Sequence, residues 1–318
     1  MTRFGHVLVT GGAGFVGSQL VKRLVPISDR VTVIDDLSTG SKKALPVADH
    51  LRLIEQSYVD ESLLDRVLPD VDVVFHLACR NIVMSARNMD DDFHVNLFGG
   101  YLLLKKAREH GANLKRFVYT STASVYGDSP ILPTPESHYD TSLPYSASKL
   151  SMEHYCQVFH RMYGLPVTVL RLSNVYGPGQ VSTNPYCGVV AKFFEALQRN
   201  MPFTIYGDGT QTRDFTFIDD ALEAILLAAV HQDAPGKVFN VGTGIETSVN
   251  ELADMIGQLA GRPDYPKVHV TKRPIDVVNR RCLDASLLRK KLGWQAAVRL
   301  PEGLKKTHRW LQEEGGAK

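Results

Sequence analysis

The feature that most restricts the fold of this chain is a glycine spacing near its start. Gly11-Gly12-Ala13-Gly14-Phe15-Val16-Gly17 follows a strand-like run, HVLVT at 6–10, and opens a helix-like run at 15–25. Glycines at 11, 14 and 17 remove Cβ atoms where a strand would turn into a helix. Backbone N–H groups can then approach an anion that the helix dipole favours. A Gly-rich turn can also be only a tight turn. Its place after a strand and before a helix is that of a dinucleotide-binding unit, in which the anion is a pyrophosphate. The second candidate strand ends in Asp35-Asp36, about twenty residues beyond the glycines, where a carboxylate accepts both hydroxyls of an adenosine ribose. A charge at Asp35 repels a 2′-phosphate, which favours NAD over NADP.

Short apolar runs alternate with longer amphipathic ones, the pattern of βαβ units and a parallel sheet. The runs predict strands at 6–10, 31–35, 51–54, 71–77, 115–121, 167–172 and 237–241. They predict helices at about 15–25, 61–68, 91–109, 144–163, 187–199, 219–231 and 247–260. After residue 172 the rhythm breaks into Gly/Pro/Asn-rich stretches such as YGPGQVSTNPYCG, and one more core strand is evident. The expected fold is α/β: a doubly wound Rossmann sheet with a smaller C-terminal α/β substrate lobe. Residues 1–173, with 211–241 returning, would form the NAD-binding domain, and 174–210 with 242–318 the lobe. The final EEGGAK reads as a frayed tail.

Thirty-six Lys and Arg against 34 Asp and Glu leave a net charge of +2, too balanced for the basic footprint of nucleic-acid binding. Cys79, Cys156, Cys187 and Cys282 lack CxxC spacing, which argues against a zinc site or a disulfide scaffold. The 11 histidines show no ligand spacing, so no metal is expected. Cys79 and Cys187 are expected as small apolar residues, with a pocket-lining place open to either. With no signal-like start and no run of eighteen apolar residues, the expectation is a cytoplasmic protein without membrane contact.

Tyr145-Ser146-Ala147-Ser148-Lys149 sets a phenol and an ammonium one helical turn apart on one face. An ammonium near 4 Å at an effective dielectric near 20 is worth about 4 kcal/mol, or roughly three pK units. The expectation is a phenol brought near neutrality, where general-base catalysis is efficient. Upstream, Tyr119-Thr120-Ser121-Thr122-Ala123-Ser124 brings hydroxyls to the end of a strand, the sheet edge at which doubly wound folds bind ligands. Farther on, YGDGTQTRDF at 206–215 and KRPID at 272–276 carry Arg213 and Arg273. Two such forks suit a diphosphate, although isolated surface arginines read the same way.

Taken together, GGAGFVGS, the aspartate after the second strand, HLAC at 76–79, Asn96, YTSTASVYG, YSASK and RLSNVYGPG resemble the extended short-chain dehydrogenase/reductase family. The resemblance is greatest to its NAD-dependent nucleotide-sugar epimerases and dehydratases, UDP-hexose 4-epimerases above all. It implies Thr122, Tyr145 and Lys149 as catalytic hydroxyl, base and pKa-lowering cation. It implies a cofactor set of Gly11, Gly14, Phe15, Val16, Gly17, Asp35, Asp36, Leu37, Ser38, Thr39, Gly40, Leu77, Ala78, Asn96, Tyr145 and Lys149. On the substrate side it implies Ser85 and Thr122 at the sugar, Asn174, Arg213 and Arg273 at the diphosphate, and Asp276 at the nucleotide ribose. It further implies a homodimer through the helices at about 91–109 and 144–163, whose alternative is burial within the monomer.

All these relatives begin by taking the O4 proton and the C4 hydride of a sugar. The 4,6-dehydratases carry Asp-Glu after the catalytic threonine, and UDP-glucuronate decarboxylases a glutamate at the second of those places. Here the residues are Ala123 and Ser124, which leaves 4-epimerisation of a UDP-sugar, through a transient 4-keto intermediate, as the simplest expectation. A decarboxylase, a 4-ketosugar reductase and a silent dinucleotide sensor are the alternatives. Departures from the family pattern are Ser57, where an adenine-binding aspartate is frequent, and a loop at 79–85 one residue short. Val278-Asn279-Arg280-Arg281 stands where many UDP-galactose epimerases limit sugar size with tyrosine or cysteine. Arg280 or Arg281, and equally Arg80 or Arg87, could meet a uronate carboxylate or be surface charge. The sugar is left open among glucose, N-acetylglucosamine and glucuronate.

Overall fold

The computed structural model describes residues 3–180 and 188–316. Its centre is a seven-stranded parallel sheet of β1 (Phe4–Thr10), β2 (Ser28–Ile34), β3 (Leu51–Ile54), β4 (Val73–His76), β5 (Arg116–Thr122), β6 (Val167–Leu172) and the strand Val238–Val241. Across the sheet the order is Val238–Val241, β6, β5, β4, β1, β2, β3. The inner strands β1, β4, β5 and β6 are buried on both faces, and the period of two divides their side chains between two cores; β3, at the edge, is only partly covered. Val7 and Val9 of β1 join Val31, Val33, Val73 and Phe75 on one face. Leu8 joins Ile34, Val74, Phe117 and Tyr119 on the other.

The connecting helices are α1 (Phe15–Leu24), α2 (Glu61–Val67), α3 (Ile82–Arg87), α4 (Met89–Asp92), α5 (Gly100–His110), α6 (Pro144–Tyr163), α7 (Val189–Gln198), α8 (Ile218–Val230), α9 (Val249–Leu259), α10 (Ser286–Leu292) and α11 (Leu300–Gly316). β1 pairs with β2 on one side and β4 on the other. Crossovers therefore leave β1 and β4 in opposite directions and open a crevice at the strands' carboxyl ends.

Three two-stranded sheets lie outside the central one. Asn174–Tyr176 pairs with Phe215–Phe217, Phe203–Tyr206 with Lys267–Val270, and Thr212–Arg213 with Thr247–Ser248. Phe193 of α7 stacks on Phe203 at 4.6 Å between ring centroids, tying α7 to this part of the chain.

All seven expected core strands are present. The expected helix at 91–109 is three pieces, α4, a π-helical turn at Phe93–Gly99, and α5. The helix expected from 187 runs from Val189, and Cys187 lies outside the described residues. The tail expectation is corrected: α11 continues to Gly316. α3 forms in the segment expected as a loop, and α10 and α11 form where no helix is expected.

Candidate active site

At the crevice a cavity of about 740 Å³ runs from the glycine turn, past the ends of β2 and β4, to Tyr145. Gly11 has φ +71°, and a Cβ there would lie 2.6 Å from the backbone nitrogen of Ala78. A Cβ on Gly17 would lie 2.1 Å from the carbonyl oxygen of Gly11. Both positions therefore exclude side chains, and α1 packs directly on the turn. The N-cap of α1 is Gly14, which offers no side chain to the first turn. The N–H groups of that turn remain for an anion in the cavity, which Phe15, Val16 and Gly17 line.

Asp35 is buried, and its carboxylate accepts the N–H groups of Ala13 (2.8 Å) and Leu37 (2.9 Å). Burial raises its pKa, and the two N–H bonds oppose the rise. Its neighbour Asp36 accepts Ser38 N–H (3.0 Å) and Oγ (2.6 Å), and forms an ion pair with Arg80 at 2.9 Å. Leu37 and Gly40 shape this loop from outside the cavity lining, while Ser38, Thr39, Leu77 and Ala78 line it. A Cβ on Gly40 would meet the backbone of Ala13 at 2.9 Å. The cradle, the uncapped helix and the strand-end aspartate fit the pyrophosphate and adenosine ribose of NAD. Ala13, Lys43, Tyr58, Arg80 and Trp310 line the same cavity. Sequence reasoning weighed Arg80 at the sugar rather than here and missed the others, because no spacing rule links them to the glycines.

The loop after β4 is held from behind. Asn96 sits in the π-helical turn, accepting Arg80 N–H (2.7 Å) and donating to the Arg80 carbonyl (2.9 Å) and to Asp92 (2.6 Å). It supports the cavity wall and does not line it. Arg80 itself donates to Asp91 (2.7 Å), Asp36 and Ser38. Ser85 is fully buried, with its hydroxyl on Asp92 (2.5 Å) and on the Arg80 carbonyl (3.3 Å). This corrects its assignment to the sugar: α3 turns it into the protein.

Tyr145 begins α6 and reaches the carboxyl end of β5, where the hydroxyl of Thr122 and the thiol of Cys79 are its electrostatic neighbours. Thr122 Oγ1 also accepts Ser124 N–H at 3.1 Å. Lys149, one turn along α6, is buried. Its ammonium donates to the Thr120 carbonyl at 2.7 Å and stands 4.3 Å from the centre of the Tyr119 ring. The expectation of a phenol near neutrality is corrected for this state. Burial raises the Tyr145 pKa well above its ordinary value, and burial lowers that of Lys149. Beneath the pair, Glu153 and Arg171 form a buried ion pair at 2.7 Å. Cys79 lines the cavity beside Tyr145, a contact that its position in HLAC hinted at.

On the far side, Arg213 is half-buried, donating to the carbonyls of Thr212 (2.6 Å) and Val278 (3.1 Å). Burial lowers its pKa, with Asp276 and Asp128 acting against that. Arg273 packs over Tyr206 at 4.4 Å and holds Asp276 by two bonds, 2.9 and 2.7 Å. The two arginines, sixty positions apart in the chain, thus share one electrostatic neighbourhood with Asp276. Asn174 lines the cavity, its N–H on the Asp214 carbonyl (3.0 Å). Of the four open arginines, Arg280 faces Glu246 (3.0 and 2.5 Å) and Arg80 is held by acids, while Arg281 points to Ser124.

The model of the NAD dependent epimerase/dehydratase family matches residues 7–242. The chain is 38% identical, over 95% of its length and 97% of the relative's, to the UDP-glucose 4-epimerase of Mycolicibacterium smegmatis. Among solved structures, a UDP-glucose 4-epimerase of Thermotoga maritima with UDP-glucose superposes with TM-score 0.90. It shares 37% identity, over 97% of this chain and 99% of that one. A UDP-N-acetyl-alpha-D-glucosaminuronate decarboxylase of Bacillus cytotoxicus is 31% identical over 96% of this chain and 97% of its own. Relatives of comparable identity thus run different reactions on one scaffold. With its seven-stranded Rossmann sheet and its glycine cradle, the chain belongs to the NAD-dependent epimerase/dehydratase family, nucleotide-sugar enzymes of the extended short-chain dehydrogenase/reductase type.

Proposed function

We propose that the chain catalyses the NAD-dependent 4-epimerisation of a UDP-sugar through a transient 4-keto sugar. The observation that carries this reading is the neighbourhood of Thr122. Its hydroxyl meets Tyr145, and the next two side chains are the buried methyl of Ala123 and the hydroxyl of Ser124. Neither can act as the acid or base that removal of water would call for, and Ser124 stands where uronate decarboxylases usually carry a glutamate. In this reading Tyr145 takes the proton of the sugar's O4 while the C4–H bond breaks. NAD, when bound, accepts that hydride and gives it back. Thr122 orients O4, and Lys149 favours the phenolate. The keto sugar presents its other face, and Tyr145 returns the proton.

Residues 1–173 and 211–241 serve the cofactor in this proposal, and 174–210 and 242–318 the nucleotide sugar, with Asn174, Arg213 and Arg273 at the diphosphate and Asp276 at the ribose. A homodimer is supported by apolar side chains left exposed along α4–α5 and α6, among them Phe93, Phe98, Val158 and Met162. Among the described residues no helix is long and apolar enough to cross a membrane. The free thiols of Cys79, Cys156 and Cys282 suit a reducing cytoplasm.

The test is to incubate the protein with NAD and UDP-glucose, UDP-N-acetylglucosamine or UDP-glucuronate, following products by proton NMR. A C4-inverted sugar of unchanged mass, lost in Tyr145→Phe, is expected. A pentose or a 4-keto-6-deoxy product would overturn the proposal.

A further inference from the structure

This inference rests on the nucleotide-sugar reading above and names the class of sugar. Arg280 and Arg281 are adjacent but face opposite surroundings. Arg280 is exposed and closed by Glu246. Arg281 turns inward, its Nη1 3.5 Å from Ser124 Oγ, with its Nε buried and lacking any partner. Among the described residues no carboxylate pairs with it. The acid whose charge acts on it, Asp128, is engaged by the N–H groups of Asn279 (2.8 Å) and Arg280 (3.1 Å) and by the Asn279 amide (2.7 Å). Those bonds fix the loop that carries Arg281. Burial and the charge of Arg213 hold the Arg281 pKa down to about 9. A guanidinium kept from water without an anion is unfavourable unless a ligand supplies the anion.

The ligand's shape follows from the neighbours. Ser124 N–H donates to Thr122 Oγ1 (3.1 Å), and that hydroxyl meets Tyr145. Arg281 therefore stands one residue from the group that would hold O4 of the sugar. The ring position next to C4 that bears a carbon substituent is C5. A hydroxymethyl there offers no charge, whereas a carboxylate matches the guanidinium fork in charge and in geometry. We propose that Arg281 receives a carboxylate carried on C5, so that the substrate is a UDP-hexuronate and not a neutral UDP-hexose.

The NAD-loaded protein, its Arg281→Gln and its Arg281→Lys variants are titrated calorimetrically with UDP-glucuronate, UDP-glucose and UDP, and products are followed by NMR. The native protein is expected to bind UDP-glucuronate about 100-fold more tightly than UDP-glucose, the worth of two charge-assisted hydrogen bonds. R281Q is expected to lose that preference while its affinity for UDP stays within about threefold, which also reports an intact fold. R281K, with charge but no fork, is expected to retain part of it. Equal weakening of all three ligands in R281Q would assign the guanidinium to the diphosphate and overturn the inference, as would a native protein without preference. A pentose from UDP-glucuronate keeps the uronate inference and overturns epimerisation. A C4-inverted neutral hexose, made equally well by R281Q, keeps epimerisation and overturns the uronate. Failure of every UDP compound to bind overturns both.

Discussion

Glu153 lies one turn beyond Lys149 on α6, and Glu153→Gln tests how much of the site's support is electrostatic. Its carboxylate accepts Arg171 Nε at 3.1 and 3.0 Å, Arg171 Nη2 at 2.7 Å and the hydroxyl of Ser121. The two side chains are 2% and 5% exposed. A glutamine turns an NH2 toward those donors and leaves a buried guanidinium without a counter-charge. Removing one partner of a buried pair costs about 3–5 kcal/mol. At about 2.1 cal/mol/K per residue, 318 residues unfold with roughly 0.7 kcal/mol/K, so the melting temperature should fall by about 4–7 °C. Calorimetry and urea unfolding of the native and E153Q proteins measure it. The double variant Glu153→Leu with Arg171→Met should recover most of the loss, because paired removal leaves no orphan charge. A single-variant loss below about 1 kcal/mol would refute the reasoning.

Other outcomes follow from the same reading. His76 is buried, bonded through Nδ1 to Thr10 Oγ1 at 2.7 Å, and its pKa is lowered to about 3 by burial and by Lys149. A depressed histidine binds its proton more readily in the unfolded chain, so stability should fall by about 1.4 kcal/mol per pH unit below 6.5. His76→Gln should flatten that slope in urea unfolding at stepped pH, and an unchanged slope would sink the assignment. Arg80→Ala opens the tie between Asp36 and Asp91 at the cavity rim, and NAD should dissociate about 5–10-fold faster in stopped-flow displacement. Met162→Glu on α6 should shift sedimentation from dimer to monomer, and an unaltered dimer would place the interface elsewhere.

The parts legible in the sequence are those whose signal is local. A doubly buried strand such as β1 is a short apolar run whatever its neighbours do, and the turn of Gly11–Gly17 shows itself as missing Cβ atoms. α10 escapes because seven residues, with charged Arg289, Lys290 and Lys291 in the last turn, carry little periodicity. Its Gly293, at φ +74°, was the available stop signal. α11 carries Pro301 and Gly303 in its first turn, two residues that obscure a helical pattern. Ser85 was assigned through a loop one residue short of the family pattern, and on a helix one residue turns a side chain by about 100°. Arg280 and Arg281 are indistinguishable as letters, and only the fold gives one a glutamate and the other none.

Tyr145 shows why a pair of residues does not determine a pKa. From the sequence, Lys149 brings the phenol near neutrality and a nicotinium charge only adds to the shift. In the folded chain burial acts on both groups, and the ammonium's hydrogen bond goes to the Thr120 carbonyl. One buried positive charge does not overcome that desolvation, so a second is needed before Tyr145 becomes a base near neutral pH. Oxidised nicotinamide carries such a charge. The difference in ultraviolet absorption near 295 nm between the native protein and Tyr145→Phe, titrated with and without NAD, should then show no phenolate below about pH 10 alone. It should show a downward-shifted ionisation when NAD is present. If the phenolate formed near neutrality without NAD, the burial argument would fail and Lys149 would suffice. If NAD produced no shift, the proton would have to leave the sugar by another group, and the hydroxyl of Thr122 and the thiol of Cys79, both neighbours of Tyr145, are where that route would begin.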